Sequence, residues 1–190
     1  MKNKAMQARL NAEIRDFIDS RRSLQLATLG EDGVPYASYA PFAADEASLF
    51  VILSVIAILG LNLLRQPRAS VLIIEDEDTA EELFARRRVG YQVTAEELAV
   101  GSDGWDDGVT HLAQRHGERP RRLSSLADFR LYRLCPEHGR YVTGFGKAYS
   151  LAGGTLAHAE INHLRVGHRQ RSTDDSAGQD GASLAASTRK

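Results

Sequence analysis

With one cysteine, Cys135, this 190-residue chain cannot form an internal disulfide, so a buried core must hold it together. Neither sign of charge is in excess. The 24 Lys and Arg residues face 25 Asp and Glu, a formal net charge of −1, which removes the global field that would draw the chain to nucleic acid or to an anionic membrane. That balance points to a small ligand or a protein partner. The chain also lacks an apolar run long enough to span a bilayer. Its longest, Leu49 to Leu64 (LFVILSVIAILGLNLL), carries Ser54, Gly60 and Asn62 and stops short of the roughly 20 residues a spanning helix needs, so no membrane insertion is expected. The amino-terminal MKNKAMQARLNAEIRDF has no apolar centre of the signal-peptide kind, and the cytoplasm is the expected compartment.

What is present reads as one domain, the number this length comfortably supports. Met6, Leu10, Ile14, Phe17 and Ile18 recur at helical spacing and predict an amphipathic first helix over 1–22. Leu24, Leu26 and Thr28 alternate with Gln25 and Ala27, the EDG of residues 31–33 supplies a hairpin turn, and Tyr36, Ser38 and Ala40 continue the period on a second strand. The apolar run predicts a buried strand from Ser48 to Leu53, then a helix starting near Ser54, with that serine as its N-cap, and ending before Pro67. Strands follow at 69–74 and 86–95, separated by the acidic loop EDEDTAEE. Helical patterns cover 105–118 and 120–127. A strand led by Phe129, Leu131 and Tyr132 then runs towards a hairpin in GRYVTGFGKAY, residues 139–149. Short strands and few long helices make this a mainly β, α+β chain of the small antiparallel barrel type. The barrel domain is expected over 23–169, and the Ser-, Thr-, Asp- and Gly-rich residues 170–190 read as a disordered polar tail.

His158, His163 and His168 follow one another at intervals of five, which does not match the i, i+4 pair that sets two histidines on one helical face, and no structural zinc site is expected. Cys135, next to Pro136 in a strand-to-turn context, reads as a packed side chain and not a nucleophile. The GFG of residues 144–146 lacks the length and following helix of a dinucleotide fingerprint and reads as a strand bend where backbone can approach a ligand.

Several stretches together carry a family resemblance: LATLGEDGVPYASYAPF, NLLRQPRASVLIIEDE, FARRRVGY, DFRLYRLCPEHGRYVTGFGKAY and the GHR of residues 167–169. On these the chain resembles the HugZ/HutZ group of heme-utilisation proteins, a branch of the pyridoxamine 5'-phosphate oxidase-like split β-barrels, from about residue 8 to 169. The resemblance implies a homodimer of six-stranded antiparallel split barrels with ligand sites at the subunit interface. It implies heme as cofactor or substrate, with His168 as the axial iron ligand and Asp128 hydrogen-bonded to that histidine across the dimer. It also implies oxygen-dependent heme breakdown fed by an unidentified electron donor. A carboxylate on the second imidazole nitrogen fixes the tautomer and strengthens the ligand. Arg86, Arg87 and Arg88, the strongest basic cluster, are candidate contacts to the heme propionates or, on the flavin alternative, to its phosphate.

Two alternatives stand beside that reading: an FMN-binding oxidoreductase of the same barrel class, and a protein that sequesters or hands over heme without turning it over. For FMN, the positions where phosphate anchors are expected carry Val55, Ile58, Leu59 and Leu61, leaving Ser54 and Asn62 as the polar candidates. A phosphate without a cationic partner forgoes charge-assisted hydrogen bonds worth about 1.5–3 kcal/mol each, which disfavours FMN.

Overall fold

The computed structural model describes residues 2–157 and 160–164. Helix α1 (Lys2–Ser20) opens the chain and buries Leu10, Ile14, Phe17 and Ile18, one stripe at i, i+4, i+7 and i+8. Met6, one turn earlier on the same pattern, is exposed. Strands β1 (Ser23–Leu29) and β2 (Pro35–Pro41) form the expected hairpin, paired from Ser23↔Pro41 to Leu29↔Pro35. At its turn Gly33 has φ of 77°, a left-handed conformation that glycine adopts without steric cost. Two-residue β3 (Ala43–Ala44) and β4 (Leu49–Ser54) follow, then α2 (Ile58–Arg65), β5 (Arg68–Ile74) and β6 (Arg88–Leu98). The acidic loop between β5 and β6 makes two short 3-10 turns, Glu77–Thr79 and Leu83–Ala85. Helices α3 (Asp103–His116) and α4 (Arg119–Ser124) precede β7 (Phe129–Gly144), β8 (Lys147–Ala152) and β9 (Glu160–His163).

The strand order β2-β1-β5-β6-β7-β4-β3 is antiparallel at every pairing, with β8 and β9 continuing from the far half of β7. Six long strands, β1, β2, β4, β5, β6 and β7, make the barrel wall. β2 and β4 approach each other at the seam without pairing, which leaves the barrel split. The three remaining strands are additions to the expected six.

The apolar run at 49–64 divides differently from the sequence expectation. β4 is buried on both faces: Leu49, Val51 and Leu53 join the main core, while Phe50 joins a second cluster under α3 with Trp105, Val109, Leu112 and Leu131. A strand covered on both sides reads as a continuous apolar run and not as an alternation. The helix then starts four residues late, at Ile58, with Ala57 as N-cap and no side-chain capping bond. Ser54 is not its cap, because its hydroxyl is taken up by Asp128 and the Ile56 amide.

Strand β7 also departs from expectation by running straight through Cys135 and Pro136. The pairing with β6 shifts between Gln92↔His138 and Val93↔Pro136, so Glu137 is the extra residue of a bulge. Proline, having no N–H to donate, is tolerated in a strand at such an irregularity. Cys135 is therefore a half-buried strand residue, and burial, then the nearby Glu96 carboxylate, push its thiol pKa up. A raised pKa disfavours the thiolate and agrees with a packing role.

Two arginines tie α1 to the rest. Arg115 of α3 donates to the carbonyls of Ile18 and Asp19 at 3.0 Å and to that of Arg21, neutralising the negative end of the α1 dipole. Arg87 donates to the Tyr141 hydroxyl at 2.8 Å and to the Glu13 carbonyl at 2.9 Å, with its guanidinium 4.7 Å from the Phe17 ring centroid.

Candidate functional site

The residues singled out from sequence fall into three places. At the start of β7, Asp128 meets Ser54 at the end of β4: the Ser54 hydroxyl donates to Asp128 Oδ2 at 2.7 Å, and the Val55 amide donates to the Asp128 carbonyl at 2.8 Å. The Ile56 amide donates back to Ser54 Oγ at 3.1 Å. Two candidates 74 positions apart in sequence are thus one hydrogen-bonded unit, half-buried, with the carboxylate held by one oxygen. Asn62 is elsewhere. It is 4% exposed and donates to the Thr28 hydroxyl at 3.0 Å, joining α2 to β1 inside the core.

The arginine triplet is divided by its strand entrance. Arg86 donates to the Glu75 carbonyl and pairs with Glu77 at 3.1 Å, and Arg87 is engaged with Tyr141 and Glu13. Arg88, the first residue of β6, has one bond to the Arg86 carbonyl at 2.8 Å and faces a pocket of about 450 Å³. Two cations that the sequence reading did not single out share that pocket, Arg140 of β7 and Lys147 of β8. Antiparallel register explains the meeting. Arg88 lies opposite Val142, Arg140 is two residues back on the same face, and Lys147 pairs with Gly144 across the hairpin. Among the described residues no carboxylate lies within 4.0 Å of these three cations. Periodicity within β7 and β8 could have marked Arg140 and Lys147 as neighbours, but linking them to Arg88 needed the strand pairing.

The rest of the pocket is small or aromatic. The GFG element is the tip of the β7–β8 hairpin, a tighter feature than the expected strand bend, with Gly146 at φ of 70°. A methyl group placed on Gly144 or Gly146 would meet nothing within 4 Å, so open space stands over the tip. Phe84, 93% exposed, and Phe145, 71% exposed, flank it. Leu164 closes one side, its amide donating to the Ala148 carbonyl at 2.9 Å. His168 comes four residues later and lies outside the described residues, as do His158 and the expected tail. His163 is exposed, its ring edge-on to Tyr149 at 5.1 Å. Among the described residues no group of three His, Cys, Asp or Glu side chains could hold a metal ion, and no helix is long and apolar enough to cross a membrane.

Asp128 and the pocket stand at opposite ends of β7, a 16-residue strand whose contour is roughly 50 Å. Within one chain they are separate features.

The chain matches the pyridoxamine 5'-phosphate oxidase family over residues 10–143. It is 41% identical over 170 residues to a protein named heme oxygenase HutZ from Vibrio cholerae, covering 90% of this chain and 96% of that one. Among solved structures it resembles HutZ, described as a heme storage protein from Vibrio cholerae, with a TM-score of 0.67 and 38% identity over 70% of this chain and 94% of that one. Campylobacter jejuni ChuZ superposes with a TM-score of 0.70 at 29% identity, covering 78% of this chain and 61% of its own. A heme binding protein from Mycobacterium smegmatis gives 0.70 at 25%, covering 77% and 59%.

Proposed function

Because the chain belongs to the pyridoxamine 5'-phosphate oxidase family, and within it to the HugZ/HutZ-like branch, we propose that it is a cytoplasmic heme-utilisation protein that binds heme and breaks it down in an oxygen-dependent reaction. The observation that carries this reading is the position of Leu164 in the wall of the Arg88, Arg140 and Lys147 pocket, four residues before His168. Four residues of chain span at most roughly 14 Å, enough for the imidazole of His168 to reach a ligand seated there. The similarity to HutZ supplies the ligand's identity. The pocket fits it: three cations without carboxylate partners among the described residues suit the propionates, and the open hairpin tip suits a planar ring.

Heme, once bound, supplies the iron centre at which oxygen is activated. The chain's own residues bind and orient. His168 would hold the heme iron through one nitrogen, and Asp128 of the second subunit would accept a hydrogen bond from the N–H of the other, fixing the tautomer and raising the basicity of the ligand. Ser54, donating to Asp128 Oδ2, holds that carboxylate in one orientation and leaves Oδ1 to accept. Heme breakdown consumes electrons, so a separate donor is part of the proposal.

The separation of Asp128 from the pocket along β7 within one chain supports a pair formed between subunits. A homodimer would also cover Ile56, Ile58 and Leu64, exposed beside the exposed Val34 and Tyr39 of the β1–β2 hairpin. The flavin alternative has little to stand on. Residues 55–61 hold neither a cation nor a hydroxyl, and the polar groups flanking them, Ser54 and Asn62, are engaged with Asp128 and Thr28.

Titration of the purified protein with hemin and, separately, with FMN tests the reading. Hemin is expected to give a Soret band and tight binding, with FMN weak. His168→Ala should lose the axial bond and bind hemin much more weakly. Asp128→Asn should still bind hemin while showing a shifted iron reduction potential, with losses of roughly 10- to 100-fold in turnover. An unchanged spectrum and affinity in His168→Ala would remove the axial assignment.

A further inference from the structure

The Arg86–Arg88 triplet is the obvious cationic feature of the sequence, yet two of its three guanidinium groups face internal partners. Arg86 is held by the Glu75 carbonyl and Glu77, and Arg87 by Tyr141 and Glu13. Arg88 reaches the pocket but already donates to the Arg86 carbonyl. Arg140 and Lys147 differ from all three. Both side chains are exposed, both line the pocket, and among the described residues neither has a carboxylate or hydrogen-bond acceptor on its charged group. They come from opposite sides of the β7–β8 hairpin tip, Lys147 facing Gly144 and Arg140 lying four residues before that glycine.

Two cations at the rim of one open, small-residue surface suit a ligand carrying two carboxylates on one edge of a flat body. Between them the surface is built from Val142, Gly144 and Ala148, with Arg88 bordering it on the β6 side opposite Val142. Phe84, almost fully exposed on the loop before β6, provides an apolar ring at the pocket edge. An isolated exposed aromatic is unremarkable, but one beside two unpaired cations matches the mixed apolar and anionic character of such a ligand.

We propose that Arg140 and Lys147 are the residues that bind the two carboxylates of a planar tetrapyrrole diacid and so select the free diacid over its esters. This rests on the heme reading above and adds which side chains confer recognition of the acid groups. Arg140 offers a planar fork for bidentate contact, whereas Lys147 acts as a point charge.

The test uses the full-length chain titrated with hemin and with metal-free protoporphyrin IX, which needs no axial ligand, each compared with its dimethyl ester. Wild-type protein should bind both diacids. Arg140→Ala and Lys147→Ala should each weaken both by about 10- to 100-fold, the range expected for one charge-assisted contact. Arg140→Lys and Lys147→Arg, which keep the charge, should retain most of the affinity. The dimethyl esters should bind wild type and the alanine variants alike. Because both side chains are exposed, far-ultraviolet circular dichroism of the variants should match wild type. Diacid affinity unchanged in both alanine variants would overturn this inference and leave heme binding standing. Failure of the wild type to bind either diacid would overturn both.

Discussion

At the residue scale the buried polar groups are few and most are matched; among the described residues, Asn11 Oδ1 and Arg115 Nε are buried without a hydrogen-bond partner. Asn62 and Thr28 satisfy each other inside the core, which explains how an amide survives in an otherwise apolar helix face. Three buried tyrosines follow the same logic. The Tyr91 hydroxyl donates to the Leu156 carbonyl at 2.8 Å, and Tyr141 donates to Glu13 at 3.1 Å. Burial raises the pKa of all three, that of Tyr132 to about 12 from an ordinary value of 10.0, with Glu97 adding in the same direction. A folded-state pKa above the unfolded one stabilises the fold at full strength below pH 10, and the contribution is lost as pH rises towards 12. Urea unfolding between pH 9 and 12 should therefore show falling stability, and Tyr132→Phe should make the fall shallower. An unaltered slope in that variant would show that Tyr132 does not titrate in this window.

At the element scale, the junction between β4 and α2 decides how the apolar run is used. Gly60 sits against the Ser54–Val55 backbone so closely that a Cβ would overlap the Ser54 carbonyl and lie 2.8 Å from its carbon. Replacing glycine by alanine in a helix ordinarily gains up to about 1 kcal/mol. Here the obstacle is backbone, anchored by the Val55 to Asp128 hydrogen bond, and cannot rotate away. The clash should win. Gly60→Ala is expected to destabilise by about 1–3 kcal/mol, read as a lower urea midpoint, and, because it pushes on Ser54, to disturb the Ser54 to Asp128 bond as well. A midpoint equal to or above wild type would mean that this junction yields.

For the whole molecule, the separation of Asp128 from the Arg140–Lys147 pocket along β7 turns the subunit arrangement into a chemical question. If each site takes His168 from one chain and Asp128 from the other, mixing His168→Ala subunits with Asp128→Asn subunits yields dimers with one intact site and one doubly defective site. Such mixtures should recover wild-type turnover at up to half the sites in the mixed dimers, although each parent is impaired. Turnover equal to the average of the parents would place both residues in one chain, and sedimentation of the wild type as a monomer would remove the shared site altogether.

Much of the architecture was legible along the chain because it rests on local periodicity. The α1 stripe of Leu10, Ile14, Phe17 and Ile18, the alternation of Leu24, Leu26 and Thr28, and the hairpin of residues 139–149 each follow from repeat and turn chemistry alone. The apolar run at 49–64 was ambiguous because a strand buried on both faces and a buried helix look alike in one dimension. Only α3 lying over Phe50, with Gly108 small enough to let it approach, separates them. The same holds for the site. The family resemblance pointed to Ser54 and Asp128 and the charge pattern to the arginine triplet, but which charges are already neutralised depends on partners such as Glu77, Glu13 and Tyr141, brought together by strand pairing and α1 packing. Charge is written in the sequence, whereas its availability to a ligand is decided by what the fold places within 4 Å of it.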